Sequence, residues 1–170
     1  MDILKSKIID ALQFRIAEEE RTARLYESMA HWLEYQGYFG TSKLYKEYAE
    51  EEYEHAEWAY KYLKNLGIKP ITPELVKPQC EFKSLTEIVQ LSYKEELLIT
   101  KQCNDLAELC ATECDYITMN IALKYTNEQI DEIEKFTAII DMIEAFGDDP
   151  KALRVLDDEL GKKCRINSIG

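Results

Sequence analysis

Residues 50–55 read Glu50-Glu51-Glu52-Tyr53-Glu54-His55, inside a run from Thr41 to Leu66 that holds neither proline nor glycine. Glu52 and His55 are three residues apart, so a helix puts them on one face. A 3-4 repeat through the pair gives Tyr45, Tyr48, Glu52, His55, Ala59, Tyr62 and Leu66. That face is otherwise aromatic or apolar and should point at a core. A carboxylate and an imidazole therefore interrupt a buried stripe. An isolated buried carboxylate costs several kcal/mol even after relaxation, so something must compensate it. Bound cations are the compensation that the rest of the chain favours.

Outward from this stretch, residues 4–36, 84–111 and 113–146 are also free of glycine and proline, so each reads as one unbroken helix. Thr41 or Ser42 is expected to cap the second helix and Gly67 to close it. Ser84-Leu85-Thr86-Glu87 is a capping box that opens the third helix. Asp149-Pro150 starts a short fifth helix at about 150–160, and Gly161 is expected to end it. No strand pattern is visible. The first helix carries the stripe Ile9, Leu12, Ile16, Glu19, Ala23, Tyr26, Ala30, Leu33. The third carries Leu85, Val89, Ser92, Glu96, Ile99, Cys103, Leu106, Cys110. The fourth carries Thr118, Ala122, Tyr125, Gln129, Glu132, Phe136, Ile139, Ile143, Phe146. All have the spacing of bundle helices. Each acidic interruption falls near a helix midpoint, which places Glu19, Glu52, His55, Glu96, Gln129 and Glu132 in one layer.

The connections set the direction of each helix. Short links join the first helix to the second and the third to the fourth, so each pair is an antiparallel hairpin. The Pro-rich segment from Gly67 to Lys83 can span ~50 Å when extended. A helix of about 26 residues is ~39 Å long. The linker can therefore run the length of the bundle and leave the second and third helices parallel. The predicted fold is all-α: a four-helix bundle with one long crossover and a short fifth helix.

Length and charge narrow the function. The 170 residues suffice for one domain with a sizeable core, taken as residues 1–170 with the bundle over about 4–146. A net charge of -12 argues against nucleic acid as a partner and suits a protein that attracts cations. No apolar run reaches ~18 residues, so no membrane span is expected. The five cysteines, Cys80, Cys103, Cys110, Cys114 and Cys164, form no C-x-x-C pair and are odd in number, which favours a reduced, cytoplasmic setting. Cys103 and Cys110 lie on the core stripe, whereas Cys114 and Cys164 are expected at the surface.

Taken singly, a mid-helix glutamate is as readily a solvated face as a ligand. Four independent breaks in four stripes at matching depth are not explained that way. Carboxylates with one imidazole in a dry core form an oxygen-rich site that suits iron or manganese better than thiophilic metals.

Ferritin-like di-iron bundles place one Glu on each of two helices and Glu-x-x-His on the other two. Here Glu19 and Glu96 stand as the single glutamates and Glu52-Tyr53-Glu54-His55 as one complete motif. The fourth helix has Gln129-Ile130-Asp131-Glu132 where a second Glu-x-x-His would be. Rubrerythrins, bacterioferritins and di-iron oxygenases keep that second histidine. With Tyr26 to Trp32, Ala49 to His55, Tyr93 to Thr100 and Glu128-Gln129, the chain resembles a bacterial-type non-haem ferritin over residues ~5–146.

The resemblance implies that Glu19 and His55 hold one iron, Glu96 and Glu132 the other, and Glu52 bridges them. It places Gln129 beside the second iron and Tyr26 as a redox-active neighbour. Glu51, Glu128 and Asp131 match acidic positions that help to hold a third, inner iron. It also implies a ferroxidase, oxidising Fe(II) with O2 and storing Fe(III) mineral inside a shell of twenty-four subunits, with the fifth helix at the fourfold axes. Glu113 and Asp115 are candidates for acidic entry pores, or are simply helix-start carboxylates favoured by the helix dipole. Haem is not expected, since Tyr53 stands where the bacterioferritin methionine would be. The alternatives are a rubrerythrin-like peroxidase, which needs the missing second Glu-x-x-His, and a storage shell without oxidase activity, which the intact glutamate and histidine set argues against.

Overall fold

The computed structural model describes residues 3–164, so the outermost ends of the expected 1–170 domain lie outside the described residues. Five helices follow in order: α1 (Ser6–Tyr35), α2 (Phe39–Asn65), α3 (Leu85–Thr112), α4 (Tyr116–Phe146) and α5 (Pro150–Lys162). α1 packs chiefly on α2 and α3 chiefly on α4, while α5 lies across α2 and α4.

Apolar burial divides into two clusters that report the direction of every helix. One gathers Ile8, Leu12 and Ile16 of α1 with Ala59 and Leu63 of α2, Ile99 to Cys110 of α3, and Ile121 to Tyr125 of α4. The other gathers Tyr26 to Leu33, Leu44 to Ala49, Leu85 to Val89, Phe136 to Ile143 and the apolar face of α5. α2 and α3 both run from the second cluster to the first and are therefore parallel. The linker begins with Ile68 against one cluster and ends with Phe82 in the other, so it traverses the bundle lengthwise. The result is a four-helix bundle with one long crossover and a short C-terminal helix.

Several local expectations hold. Gly67 takes a left-handed φ of 72° and closes α2. The Ser84 hydroxyl accepts from Glu87 N at 3.0 Å, and the Glu87 carboxylate accepts from the backbone N–H of Lys83 at 2.5 Å. Asp149 caps α5 through Lys151 N and Ala152 N, with Pro150 in the first turn. Asp115 caps α4 through Thr118 N, and Glu113 accepts from Lys5 and Lys7 at 3.0 Å each. Asp115 thus has the expected helix-start position, whereas Glu113 stands at the C-terminal end of α3 rather than at the start of α4.

Other expectations need correction. α2 begins at Phe39, before Thr41 and Ser42. Its first amides are capped from α5 instead: Asp157 accepts from Thr41 N and Thr41 Oγ1, each at 2.7 Å. Gly161 does not end α5, which continues to Lys162. It lies against Gly40, where an added Cβ would come 2.8 Å from the Gly40 Cα. Both glycines exist for this helix crossing. Cys164 is buried rather than exposed, and Phe146 is exposed rather than on the core stripe. In α1 the buried position is Ile8, with Ile9 only half-buried. Leu63 is buried on α2 where the strict repeat placed Tyr62 and Leu66, both half-buried.

Gly161→Ala is expected to destabilise the fold by about 1–3 kcal/mol, the usual cost of overpacking. The expected signs are a lower melting temperature and faster proteolysis within α5 than within the bundle. Unchanged melting would mean that the α2–α5 contact is not close.

Candidate metal centre

Between the two apolar clusters lies a polar layer at mid-height. α1 contributes Glu19, α2 Glu52 and His55, α3 Glu96, and α4 Gln129 and Glu132, every one of them buried. The i,i+3 pairs Glu52/His55 and Gln129/Glu132 each share a face because neither helix is broken there. Ligand atoms of Glu19, Glu52 and His55 all lie within 4.8 Å of one another, as do those of Glu52, Glu96 and Glu132. Glu52 belongs to both groups. His55, Glu128 and Glu132 form a third group of the same size.

Electrostatics in this layer are unfavourable as it stands. Burial, then Glu96, Glu19 and Glu132, raise the Glu52 carboxyl well above its ordinary range. Glu96 is raised by burial and by Glu132, against the lowering effect of the bond that Tyr26 donates to it. Glu132 is raised by burial, partly offset by Lys135. Glu19 Oε2 and Glu96 Oε2 are buried with no hydrogen-bond partner. Native interiors rarely leave such oxygens unpaired. Hard oxygen donors with one imidazole, converging and partly unpartnered, are a donor set that fits iron.

Neighbouring side chains fix these residues. His55 Nδ1 is 3.2 Å from Glu52 Oε2, Trp58 packs on the imidazole with centroids 4.6 Å apart, and the Tyr125 hydroxyl donates to the His55 carbonyl at 2.7 Å. The Thr100 hydroxyl donates to Gln129 Oε1 at 2.9 Å. Tyr26 is fully buried among Tyr45, Tyr48 and Phe136. Burial, Glu96 and Glu52 keep its phenol protonated far above the ordinary tyrosine range.

Two basic residues were not singled out from sequence. Arg15, 1% exposed, places Nε 2.8 Å from Glu19 Oε1 in an ion pair not aimed as a hydrogen bond. Its Nη1 donates to Gln102 Oε1 at 2.8 Å. Lys135 Nζ lies 2.6 Å from Glu51 Oε2 and 2.9 Å from Glu132 Oε1. The available signal was opposite charge at i−4 of Glu19 and i+3 of Glu132. Of the acids expected at an inner site, Glu128 joins a ligand group, Glu51 is paired with Lys135, and Asp131 is exposed and outside all three groups.

Residues 9–146 match the Ferritin family, a ferritin-like domain. The chain belongs to the ferritin-like family. It is 33% identical over 158 residues to a bacterial non-heme ferritin of Escherichia coli O6:H1, covering 93% of this chain and 96% of that one. It is 31% identical over 159 residues to a probable bacterial non-heme ferritin-like protein of Haemophilus influenzae, covering 94% and 96%. Among solved structures, the open pore ferritin of the hyperthermophilic archaeon Archaeoglobus fulgidus superposes with a TM-score of 0.90 at 28% identity, covering 95% and 98%.

The raised carboxyls give this ferritin-like chain a pH signature when metal-free. A carboxyl that ionises less readily folded than unfolded favours folding below its ordinary pKa of 4.5. That contribution is lost as pH rises through the higher folded value. Glu96→Gln removes one such carboxyl while its amide oxygen still accepts from Tyr26. At neutral pH the metal-free variant should melt higher than the parent, by roughly 2–4 °C for each 1 kcal/mol gained. The difference should shrink toward pH 4.5. A variant that melts lower at neutral pH would contradict this electrostatic account.

Proposed function

We propose that the chain stores iron and oxidises it on entry, taking Fe(II) and O2 as substrates and passing Fe(III) to a mineral held inside a shell of its own subunits. The observation that carries this proposal is the sharing of Glu52 between two buried ligand groups. On this reading Glu19 and His55 hold one Fe(II), Glu96 and Glu132 hold the other, and Glu52 bridges them. Gln129 is a neutral neighbour of the second ion. Anionic oxygen ligands favour Fe(III) over Fe(II) by charge, so they ease oxidation of the bound pair. Two Fe(II) ions held by one carboxylate deliver two electrons to dioxygen together, avoiding a one-electron radical step.

Each residue then has a defined task. Glu52 sets the spacing of the two ions. Trp58 and the Tyr125 bond to the His55 backbone fix the imidazole. Tyr26 donates to Glu96 and orients it. With a single histidine, oxidised iron is held loosely enough to move on. Self-assembly into twenty-four subunits draws support from the ferritin relatives and from apolar side chains left exposed on one subunit, among them Tyr35, Phe39, Ile71 and Val76. Five free cysteines suit a reducing cytoplasm. Among the described residues no helix is long and apolar enough to cross a membrane.

Glu52→Ala should leave the shell intact by size exclusion while slowing Fe(II) oxidation by more than ~100-fold, since even outer-shell changes at metal sites cost about 10–100-fold. Stopped-flow absorbance after mixing with aerobic Fe(II) reads this directly. Oxidation at the parental rate would remove Glu52 from the reaction.

A further inference from the structure

The Lys135 ammonium occupies the gap between two carboxylates from different helices, Glu51 of α2 and Glu132 of α4. The ammonium also lies over the Tyr48 ring, with Nζ 5.1 Å from the centroid. At 26% exposure the side chain is largely enclosed. We propose that Lys135 is a built-in third cation of this acidic cluster, and that it restricts the centre to two metal ions by filling the position beside Glu51. The inference rests on the two-metal function proposed above and deepens it.

Charge and geometry both support this. A metal ion beside Glu51 would need the same carboxylate oxygens that Lys135 contacts at 2.6 and 2.9 Å. To enter, it must displace a tethered ammonium that never leaves the neighbourhood, and must break both ion pairs. Little would replace them. Asp131, one helical turn before Lys135, is exposed and joins no ligand group. Glu128 is grouped with His55 and Glu132 rather than with Glu51, its Oε1 3.7 Å from His55 Nε2. Among the described residues no group of three ligand atoms forms at Glu51, and the position is occupied by charge. Of Lys135's two partners the groups sharing Glu52 contain Glu132 but not Glu51, so the ammonium can stay on Glu51 while Glu132 takes an ion.

The test is a crystal soak with Zn(II), which is redox-inert, read by anomalous scattering at the zinc edge. Three assembled proteins are compared: the parent, Lys135→Met and Lys135→Arg. Methionine keeps the stem and removes the charge, whereas arginine keeps the charge. Size exclusion and melting confirm that each variant folds and assembles. Two zinc ions around Glu52 in the parent and in Lys135→Arg, with a third beside Glu51 in Lys135→Met, is the expected result. A third ion beside Glu51 in the parent overturns the proposal, as does none there in Lys135→Met. No zinc at the Glu52 groups in any of the three proteins overturns the two-metal function itself, and this inference with it.

Discussion

Mutual repulsion among Glu19, Glu52, Glu96 and Glu132 is the constraint to which the rest of the molecule answers. All four are buried and face one another across one layer, where Arg15 touches Glu19 and Lys135 touches Glu132. Left alone, such a layer would drive the helices apart or hold its carboxyls protonated. The raised carboxyls of Glu52, Glu96 and Glu132 are the second response. Cations are the third, and the one that a ferritin-like chain can turn to use.

The apolar clusters prevent the first response. One lies on each side of the polar layer, and each draws side chains from all four long helices. Separating the carboxylates would therefore mean opening both. The crossover and α5 add to this clamp. The linker is anchored at either end of the bundle, and α5 is tied to the start of α2 by Asp157 and by the Gly40–Gly161 contact. Repulsion at the centre is held by packing at the two ends, which keeps the carboxylates and the imidazole converged.

Much of this was legible in the order of residues, for a physical reason. Helices with no proline or glycine over most of their length keep a steady 3-4 period, so one misplaced carboxylate in each stripe stands out. Directions followed because a linker either can or cannot reach. Arg15 escaped notice because a strict repeat steps from Leu12 to Ile16 and passes over it, although the buried arc of α1 is wide enough to include it. Lys135 was hidden because a lysine beside a core position reads as solvated until its carboxylate partner on another helix is known. The α2 cap was out of reach for the same cause: Asp157 is 116 residues away from Thr41 in sequence, so only the folded chain brings them together. Local periodicity survives in a sequence, while pairings across the bundle do not.

The central claim, that this layer exists to hold two metal ions around one shared carboxylate, is tested most directly by anaerobic Fe(II) soaking of crystals with anomalous data at the iron edge. The account predicts two peaks in each subunit, one between Glu19 and His55 and one between Glu96 and Glu132, each within bonding distance of a Glu52 oxygen. Absence of iron between these helices, or iron bound only at surface acids, would contradict it.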